Sequence, residues 1–457
     1  MTSSGVYNRS SSTIAALATA PGVAGISVVR ISGPLSLKVA QMLAGKKNIK
    51  LPARHATYTP IVSINNSEID SAIITFFPSP NSFTGEDVIE ISCHGGEVIS
   101  SQILVACYDF GCHPAEPGEF TKRAFINGKM DLCQAEAVAD VIMASSIICK
   151  EANYRILSGQ LSKMIEDLRS SLTTLVLTIE AELDFEDDEI TPTELTQKID
   201  LVSKVLTSTK NLLSTYQTGK MLSSGALVVL VGKPNAGKSS LLNAIVGEER
   251  AIVASSPGTT RDAIEVPYVI NSFPVRFVDT AGIRETSSPI EEKGLGFTQN
   301  YLNKADLILN IIDASKDQTL HRPFLSLQNK NPIPSIDVLN KADLIKTKKL
   351  SEAKNCVFTS ALLGNGVNLL LETIYERLCG QNTVSSEVVL TNQRHRNSLL
   401  KFEARLSSLL DDMTSALPTD VIASELRVAI SFLDELLGVT TADDILENIF
   451  ANFCIGK

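Results

Sequence analysis

The stretch ALVVLVGKPNAGKSSLLNAIVG, residues 226–247, sets the architecture of the middle of this chain. An apolar run typical of a buried β-strand leads directly into the pattern G-x-x-x-x-G-K-S, and a leucine-rich helix is predicted to follow. The two glycines of the pattern permit a loop that aims consecutive backbone N–H groups at phosphate oxygens. A Gly-rich turn before a helix can also lack a ligand, so the rest of the chain has to separate the two interpretations.

Most positions of this loop, residues 232–239 and called the P-loop below, have a predicted role. Lys238 reaches the terminal phosphates of a nucleotide, and Ser239 offers its hydroxyl to Mg²⁺. The predicted nucleotide contacts in the P-loop and directly after it are Gly232, Asn235, Ala236, Gly237, Lys238, Ser239 and Ser240.

A second phosphate motif, VRFVDTAG, follows at the end of another predicted strand. Asp279 is placed to contact Mg²⁺ through water, and the backbone N–H of Gly282 can sense the third phosphate. Thr280 and Ala281 complete this predicted contact segment.

Two more motifs predict which base is bound. In VLNKAD the Asp343 carboxylate can accept two N–H groups of guanine and Asn340 meets its O6 edge, whereas adenine presents the opposite pattern; Lys341 lies between them. FTSAL brings the backbone at Ser360 and Ala361 near the same O6. Because these motifs occur in order and each follows a predicted strand, the sequence predicts a guanine-nucleotide domain.

The machinery for hydrolysis is less complete. In GTT, residues 258–260, Thr260 is predicted to give the second Mg²⁺ hydroxyl, with Thr259 as the alternative. Many GTPases place a glutamine directly after DTAG to position the attacking water, but this chain has Ile283 there. An aliphatic side chain cannot orient water, so either a partner completes the site or another residue and a cation compensate.

Two compensating groups can be named. The Asn235 amide oxygen could coordinate a monovalent cation beside the phosphates, or Asn235 could be an ordinary turn residue. Glu291 or Glu292 could orient the water, or both could simply complement a helix dipole. The residues alone do not choose between these alternatives.

Bulk composition limits the class of protein. At 457 residues the chain is long enough for about three domains. A net charge of -10 leaves no broad cationic surface for nucleic acid. No apolar run is long enough for a membrane span, and the Ser-rich N-terminus lacks the apolar core of a secretory signal. We expect a cytoplasmic protein that does not associate with membranes.

The eight cysteines include no CxxC pair, so neither a zinc knuckle nor a redox dithiol is indicated. Cys454 is the one whose position predicts exposure, either as a reactive thiol or as an inert one.

The texture of the chain predicts several domains. Residues 24–110 alternate short β-rich runs with turns and a helix from Glu97 to Phe110, which indicates a small α+β domain. An apolar stripe from Leu161 to Leu183 predicts one long helix, and QTGKMLSSGA after Tyr216 is predicted to end the helical texture. Helical blocks on both sides of an α/β block predict that the α/β block is inserted into a helical domain.

A family resemblance rests on specific motifs. GKPNAGKSSLLN, PGTTRD and DTAGIRET, with SFTGEDVIEISCHGG upstream and CIGK at the C-terminus, resemble the tRNA-modification GTPase family MnmE, also called TrmE. The likeness covers essentially the whole chain. SFTGED and CIGK are its specific parts, because many translational GTPases share the other motifs.

The resemblance implies a multidomain α+β fold: an N-terminal α+β folate-binding-like domain that also dimerises, a helical bundle domain, and an inserted Ras-like P-loop α/β G domain. The expected boundaries are 1–129 for the N-terminal domain, 130–222 and 381–457 for the two parts of the helical domain, and 223–380 for the G domain.

The resemblance also implies an activity. A homodimer would join the flavoprotein partner MnmG (GidA) in a heterotetramer that installs an aminomethyl or carboxymethylaminomethyl group on C5 of the tRNA wobble uridine. The implied ligands are GTP or GDP, Mg²⁺, K⁺, and 5-formyl- or methylene-tetrahydrofolate as the one-carbon donor.

By position in the matching motifs, the resemblance assigns further residues. The folate site would be lined by Arg30, Glu90, Lys129 and Lys457, with Cys454 beside the one-carbon chemistry as a catalytic group. The K⁺ site would use Asn235, Thr259 and backbone groups at Ala254 and Ser256, and the water-orienting role falls on Glu291.

A ribosome-assembly GTPase that binds rRNA is the alternative function, since such proteins carry a similar G domain. It predicts a basic RNA-binding module, and neither flank of the G domain is visibly basic.

Overall fold

The computed structural model describes residues 12–45, 49–184, 194–250, 265–279, 300–316, 333–345, 356–379, 388–414, 417–440, 443–451 and 453–457. The chain divides into two compact units. Unit 1 comprises Met1–Ile142, Ile156–Val202 and Ala404–Lys457, and unit 2 comprises Met143–Arg155 and Ser203–Glu403.

The described helices are α1 Ser36–Leu43, α2 Glu97–Asp109, α3 Glu119–Ile126, α4 Leu132–Ile142, α5 Ile147–Leu157, α6 Gln160–Asp184, α7 Leu195–Ser214, α8 Tyr216–Ser224, α9 Lys238–Arg250, α10 Val367–Cys379, α11 Gln393–Thr414, α12 Thr419–Leu437 and α13 Asp443–Phe450. No helix within the described ranges combines the length and apolar character that a membrane crossing requires.

Unit 1 contains a six-stranded sheet with the order β3-β4-β5-β2-β1-β6. Its neighbours are antiparallel except for the β1–β6 pair. The strands are β1 Ile14–Leu17, β2 Ile26–Ser32, β3 Thr57–Val62, β4 Glu68–Phe77, β5 Val88–His94 and β6 His113–Pro114. The β-rich runs predicted for residues 24–110, and the helix predicted from Glu97, are therefore confirmed.

One face of this sheet carries the core of the N-terminal region. Ile89 and Ile91 of β5 are fully buried and belong to one apolar cluster with residues of α1 and α2. Because side chains alternate along a strand, Glu90 points to the opposite face, as does its register partner Arg30 on β2. The sequence thereby places an ion pair on the face that α1 and α2 leave open.

The long helix predicted from the apolar stripe is α6. Its stripe is buried at Leu161, Ile165, Leu172 and Ile179, and Arg169 on the same helix binds the Asp434 carboxylate of α12 at 2.6 Å. Helix α6 is thus held in unit 1 by an apolar seam and a charged contact.

Unit 2 contains a second six-stranded sheet with the order β12-β11-β10-β7-β9-β8. It is parallel except for β8, which pairs antiparallel with β9 at one edge. The strands are β7 Ala226–Val231, β8 Glu265–Ile270, β9 Phe273–Asp279, β10 Leu307–Asp313, β11 Ser335–Asn340 and β12 Cys356–Phe358. Every residue of β7 is buried, as the apolar run that precedes the P-loop predicts.

This architecture confirms the predicted fold class, with a P-loop α/β domain inserted in a multidomain α+β chain. The prediction that QTGKMLSSGA breaks the helical texture is wrong, because most of it forms α8. Gly219 lies inside this helix, where a Cβ would stand 2.2 Å from the Leu390 carbonyl oxygen. The glycine permits close packing against another segment, and the helix ends only at Gly225.

Candidate functional site

The predicted nucleotide motifs meet at one edge of the unit 2 sheet. The P-loop follows β7, Asp279 ends β9, Asn340 ends β11, and Ser360 comes just after β12. These strands are parallel, so their carboxyl ends lie at the same edge, where open α/β sheets bind ligands.

Hydrogen bonds from its own lysine and close packing against Asn340 of β11 hold the P-loop in place. The Lys238 ammonium donates to the carbonyl oxygens of Gly232 at 3.0 Å and Lys233 at 3.2 Å. Gly237 has φ +91, and a Cβ there would stand 2.3 Å from Nδ2 of Asn340. Only glycine fits this approach, so the pattern's second glycine is required by geometry.

The two described residues of the predicted Mg²⁺ site lie together. Ser239 is the second residue of α9, and its hydroxyl donates to Oδ2 of Asp279 at 2.5 Å. Hydroxyl and carboxylate oxygens are the ligands that Mg²⁺ prefers, so this pair fits the ion.

At the base end of the site, Asn340 ties the loops together. This nearly fully buried side chain donates to the Ala236 carbonyl at 3.1 Å and accepts from the Ala361 N–H at 3.1 Å and the Thr359 hydroxyl at 3.3 Å. The Asn340 amide thus spans the P-loop and the loop after β12, and its contact with guanine O6 stays a prediction.

The Asp343 carboxylate lies just after β11, at the same edge of the sheet. It is exposed, and its Oδ1 accepts a hydrogen bond from the Ser360 hydroxyl at 2.6 Å. A fixed carboxylate can accept from both N1–H and the exocyclic amino group of guanine.

Sequence reasoning missed Asp313, which stands at the end of β10. The Lys341 ammonium donates to Asp313 Oδ2 and to the Asn235 carbonyl of the P-loop, both at 2.7 Å. Burial alone would raise the pKa of Asp313, but hydrogen bonds from Lys341 and Ser315 outweigh it and lower the pKa below its ordinary 3.8. The sequence feature that could have predicted Asp313 is an aspartate at the end of the apolar stretch that forms β10.

Several predicted residues lie outside the described part of the chain. They are Ala254, Ser256, Thr259, Thr260, Thr280, Ala281, Gly282 and Glu291, together with the alternative Glu292.

In unit 1, Arg30 and Glu90 form the ion pair on the sheet face opposite α1 and α2. Arg30 donates to Glu90 Oε1 through Nη2 at 2.8 Å and Nε at 3.1 Å. The guanidinium also lies over the rings of Phe83, at 5.5 Å, and Phe120, at 5.8 Å. Aromatic faces attract a cation, so the arginine is held from two sides.

The C-terminal segment packs beside this pair. The Phe120 N–H donates to the Lys457 carbonyl at 3.2 Å, and the Cys454 carbonyl accepts from Gly118 at 3.5 Å and from Lys457 at 3.3 Å. The prediction that Cys454 is exposed is confirmed. Since the Phe120 ring lies under Arg30, the CIGK segment and the ion pair share a neighbour.

Lys129 reaches the same region by another loop. Its ammonium donates to the Pro80 carbonyl at 3.0 Å, and Asn127 donates to the Thr84 carbonyl at 2.7 Å. Phe83, which contacts Arg30, belongs to this loop. Two of the residues assigned to the folate site therefore contact the loop of residues 79–86, Arg30 at Phe83 and Lys129 at Pro80.

None of the assigned folate residues lines a cleft of about 1100 Å³ in unit 1. It is bordered by α3, α13 and the loop of residues 79–87. In its wall, the nearly buried Arg123 donates to Glu119 at 2.7 Å, to Glu86 at 3.1 Å and to the Ser12 carbonyl at 2.8 Å. Sequence reasoning missed this network, which connects the loop to α3 and to Ser12, just before β1.

Comparisons with known proteins point to one family. One family model, described as the GTP-binding protein TrmE N-terminus, matches residues 13–129, and another, the MnmE helical domain, matches residues 132–454. The tRNA modification GTPase MnmE of Dichelobacter nodosus is 40% identical over 451 residues and covers 97% of this chain and 99% of its own length. That of Aromatoleum aromaticum is 40% identical over 447 residues, with 97% and 98% covered.

Among solved structures, the G domain of T. maritima FeoB is 28% identical, with a TM-score of 0.26, and covers 33% of this chain and 98% of that chain.

Proposed function

Since this chain belongs to the MnmE family of tRNA modification GTPases, we propose that it is the GTP-hydrolysing subunit of a complex that modifies C5 of the wobble uridine in tRNA. The product would carry an aminomethyl or carboxymethylaminomethyl group. The resemblance noted from the sequence motifs is confirmed at the level of the family.

The nucleotide site supplies the GTPase part of this function. Lys238 would bind the terminal phosphates, and the Asp343 carboxylate would bind the guanine edge. The contacts of Lys238 within the P-loop and of Asp343 with Ser360 support these roles. Ser239 and Asp279 would hold Mg²⁺, which neutralises the charge that develops on the phosphates. Asn340 keeps the phosphate and base ends at a fixed separation by bonding to both loops.

K⁺ is proposed as the second cation, held by the Asn235 amide oxygen with Thr259 and the backbone at Ala254 and Ser256. Asn235 is exposed at the P-loop with φ +62, so its side chain is accessible to an ion and to a second G domain. A cation there supplies positive charge next to the phosphates. We propose that K⁺ also permits two G domains to pair.

Glu291 is the proposed water-orienting residue, because the position after DTAG holds Ile283. Replacing Glu291 with Ala is expected to abolish GTP hydrolysis while nucleotide affinity stays unchanged. Turnover of Glu291→Ala at the wild-type rate would return the role to Glu292 or to a partner.

The folate half of the function rests on one observation above all, the contact between the Lys457 carbonyl and the Phe120 N–H. Through this contact the CIGK segment lies next to Phe120, whose ring packs against the Arg30 guanidinium. The Glu90 carboxylate and the Arg30 guanidinium can bind the donors and acceptors of a pterin, so the residues present fit a tetrahydrofolate. When bound, this cofactor supplies the one-carbon unit, and Cys454 is the exposed nucleophile nearby.

The assembly is proposed as a homodimer that joins the flavoprotein MnmG in a heterotetramer and acts on tRNA. Its proposed domains are the N-terminal domain at 1–129, the helical domain in two parts at 130–222 and 381–457, and the inserted G domain at 223–380. GTP hydrolysis would drive the conformational cycle of this complex.

A binding experiment tests the folate assignment on the full chain. Arg30→Met is expected to weaken 5-formyl-tetrahydrofolate binding in calorimetry at least about tenfold, because a hydrogen-bonded charge is lost. Arg169→Met removes a comparable ion pair with Asp434 on the helices and serves as the matched control. Equal binding by Arg30→Met and wild type would place the folate elsewhere, with the cleft beside Arg123 as the next site to examine.

A further inference from the structure

An acidic side chain closes the strand that lies between the P-loop strand and the guanine-recognition strand. Asp313 is the last residue of β10, which pairs with β7 on one side and with β11 on the other. Its side chain is only 8% exposed, and its register partner on β11 is Asn340. The carboxylate is therefore located between the two loops that hold the nucleotide's phosphates and base.

Both oxygens of this carboxylate have fixed donors. Oδ1 accepts from the backbone N–H of Ser315 at 3.0 Å and from the Ser315 hydroxyl at 2.5 Å. Oδ2 is left for the Lys341 ammonium at 2.7 Å. Because the turn after β10 fixes the orientation of the carboxylate, the carboxylate in turn fixes the position of the ammonium.

The same ammonium reaches the P-loop. It donates to the Asn235 carbonyl at 2.7 Å, and both Asn235 and Lys341 have φ +62. Residues other than glycine adopt this left-handed region uncommonly, although asparagine does so more readily than most. Asn235 is exposed, and the hydrogen bond from the ammonium to its carbonyl is a contact from outside the P-loop that restrains its backbone.

We propose that Asp313 is a positioning residue of the nucleotide site, which holds the Lys341 ammonium against the P-loop carbonyl at Asn235 and so keeps the phosphate and base loops in register. A lysine alone cannot do this, because its ammonium sits on a flexible four-carbon stem. With Asp313 in place, the Lys341 ammonium has two acceptors, the Asp313 carboxylate and the Asn235 carbonyl. The inference rests on the GTPase part of the proposed function and is independent of the tRNA and folate chemistry.

Release of a fluorescent N-methylanthraniloyl-GDP from the full chain tests the proposal. Asp313→Asn keeps the shape of the side chain and its contact with Ser315 but presents an amide to the ammonium. We expect the release rate to rise at least about tenfold, since a charged hydrogen bond is lost. Glu265→Gln removes an ion pair with Arg276, also at 2.7 Å, elsewhere in the same sheet. Release from this control is expected to stay within about twofold of wild type.

A double-mutant cycle separates positioning from a general loss of stability. If Asp313 acts through Lys341, then adding Asp313→Asn to Lys341→Met should change the release rate less than about twofold. A structural role without Lys341 predicts that the two effects multiply. Wild-type release from Asp313→Asn, or full multiplication in the double variant, overturns the proposal.

A milder variant covers the case in which Asp313→Asn does not fold. Ser315→Ala removes the hydroxyl that orients Oδ1 and leaves both charges in place. GDP release is expected to be faster than wild type, and unchanged release contradicts the proposal. Since the readout is nucleotide release alone, a failure here leaves the folate and tRNA tests unaffected.

Discussion

The Lys457 carbonyl accepts a hydrogen bond from the Phe120 N–H at 3.2 Å, while the Phe120 ring lies 5.8 Å from the Arg30 guanidinium. A C-terminal segment and a charged pair on the N-terminal sheet are thereby joined through one phenylalanine. The thiol of Cys454, three residues earlier, is exposed next to them. This relationship carries the proposed one-carbon chemistry.

Gly456 tests whether that docking matters. It has φ +92, and a Cβ there would stand 2.1 Å from the Leu17 carbonyl oxygen, so Gly456→Ala should displace the CIGK segment. We expect loss of modified wobble uridine in cells that carry only this variant, with basal GTP hydrolysis by the purified protein unchanged. Gly111→Ala is the matched control, because Gly111 has φ +103 but its nearest contact is a side-chain carbon at 3.9 Å.

Both alanine variants share a backbone strain of about 1 kcal/mol or more. Full modification by Gly456→Ala, or equal loss by both variants, would contradict a role for the docked segment.

The cysteines should react in an order set by burial. Cys454 is exposed, whereas burial raises the pKa of Cys107 well above its ordinary value and that of Cys112 to about 12. A raised pKa keeps a thiol protonated and unreactive. We expect one fast phase with iodoacetamide at pH 8, absent in Cys454→Ser. Labelling of Cys107 and Cys112 should stay slow even at pH 9. Mass spectrometry that finds Cys112 labelled as quickly as Cys454 would refute this order.

Base specificity should follow the Asp343 carboxylate. Asp343→Asn replaces an acceptor with an amide that can also donate, and xanthine carries a carbonyl where guanine carries its amino group. We expect GTP affinity to fall about tenfold to a hundredfold, because hydrogen bonds to a charge are lost, and XTP affinity to rise. Fluorescent-nucleotide competition measures both. Retention of wild-type preference for GTP over XTP would mean that Asp343 does not contact the base.

Potassium dependence should follow the Asn235 amide. GTP turnover is expected to be faster in KCl than in NaCl, and Asn235→Ala should erase the difference. Because alanine tolerates φ +62 less well than asparagine, Asn235→Gly serves as the control that removes the amide without backbone strain. A potassium effect that survives in Asn235→Gly would assign the cation to other ligands.

Apolar periodicity and glycine spacing within short stretches of sequence correctly predicted individual strands, helices and the P-loop. The apolar run before the P-loop became the central strand β7, the stripe from Leu161 became α6, and the predicted motifs stand at strand ends of one sheet. Each of these depends on a short window of sequence in which periodicity or glycine spacing has a single interpretation.

Contacts between residues far apart in the chain could not be predicted from the sequence. The stretch QTGKMLSSGA is predicted to end a helix, yet Gly219 within it serves close packing against the Leu390 carbonyl, which belongs to a distant segment. Asp313 contacts Lys341 only because the sheet order brings the end of β10 beside the end of β11. The docking of CIGK was implied by family resemblance alone, since nothing in those residues specifies a partner.

The most direct test of the proposed function is the tRNA nucleoside profile of a strain in which the gene is deleted. We expect 5-aminomethyl and 5-carboxymethylaminomethyl uridines to disappear by mass spectrometry, and the wild-type gene to restore them while Lys238→Ala does not. If these nucleosides persist at wild-type levels in the deletion strain, the proposed wobble-uridine function is wrong, and cofractionation with ribosomal subunits would then favour the ribosome-assembly alternative.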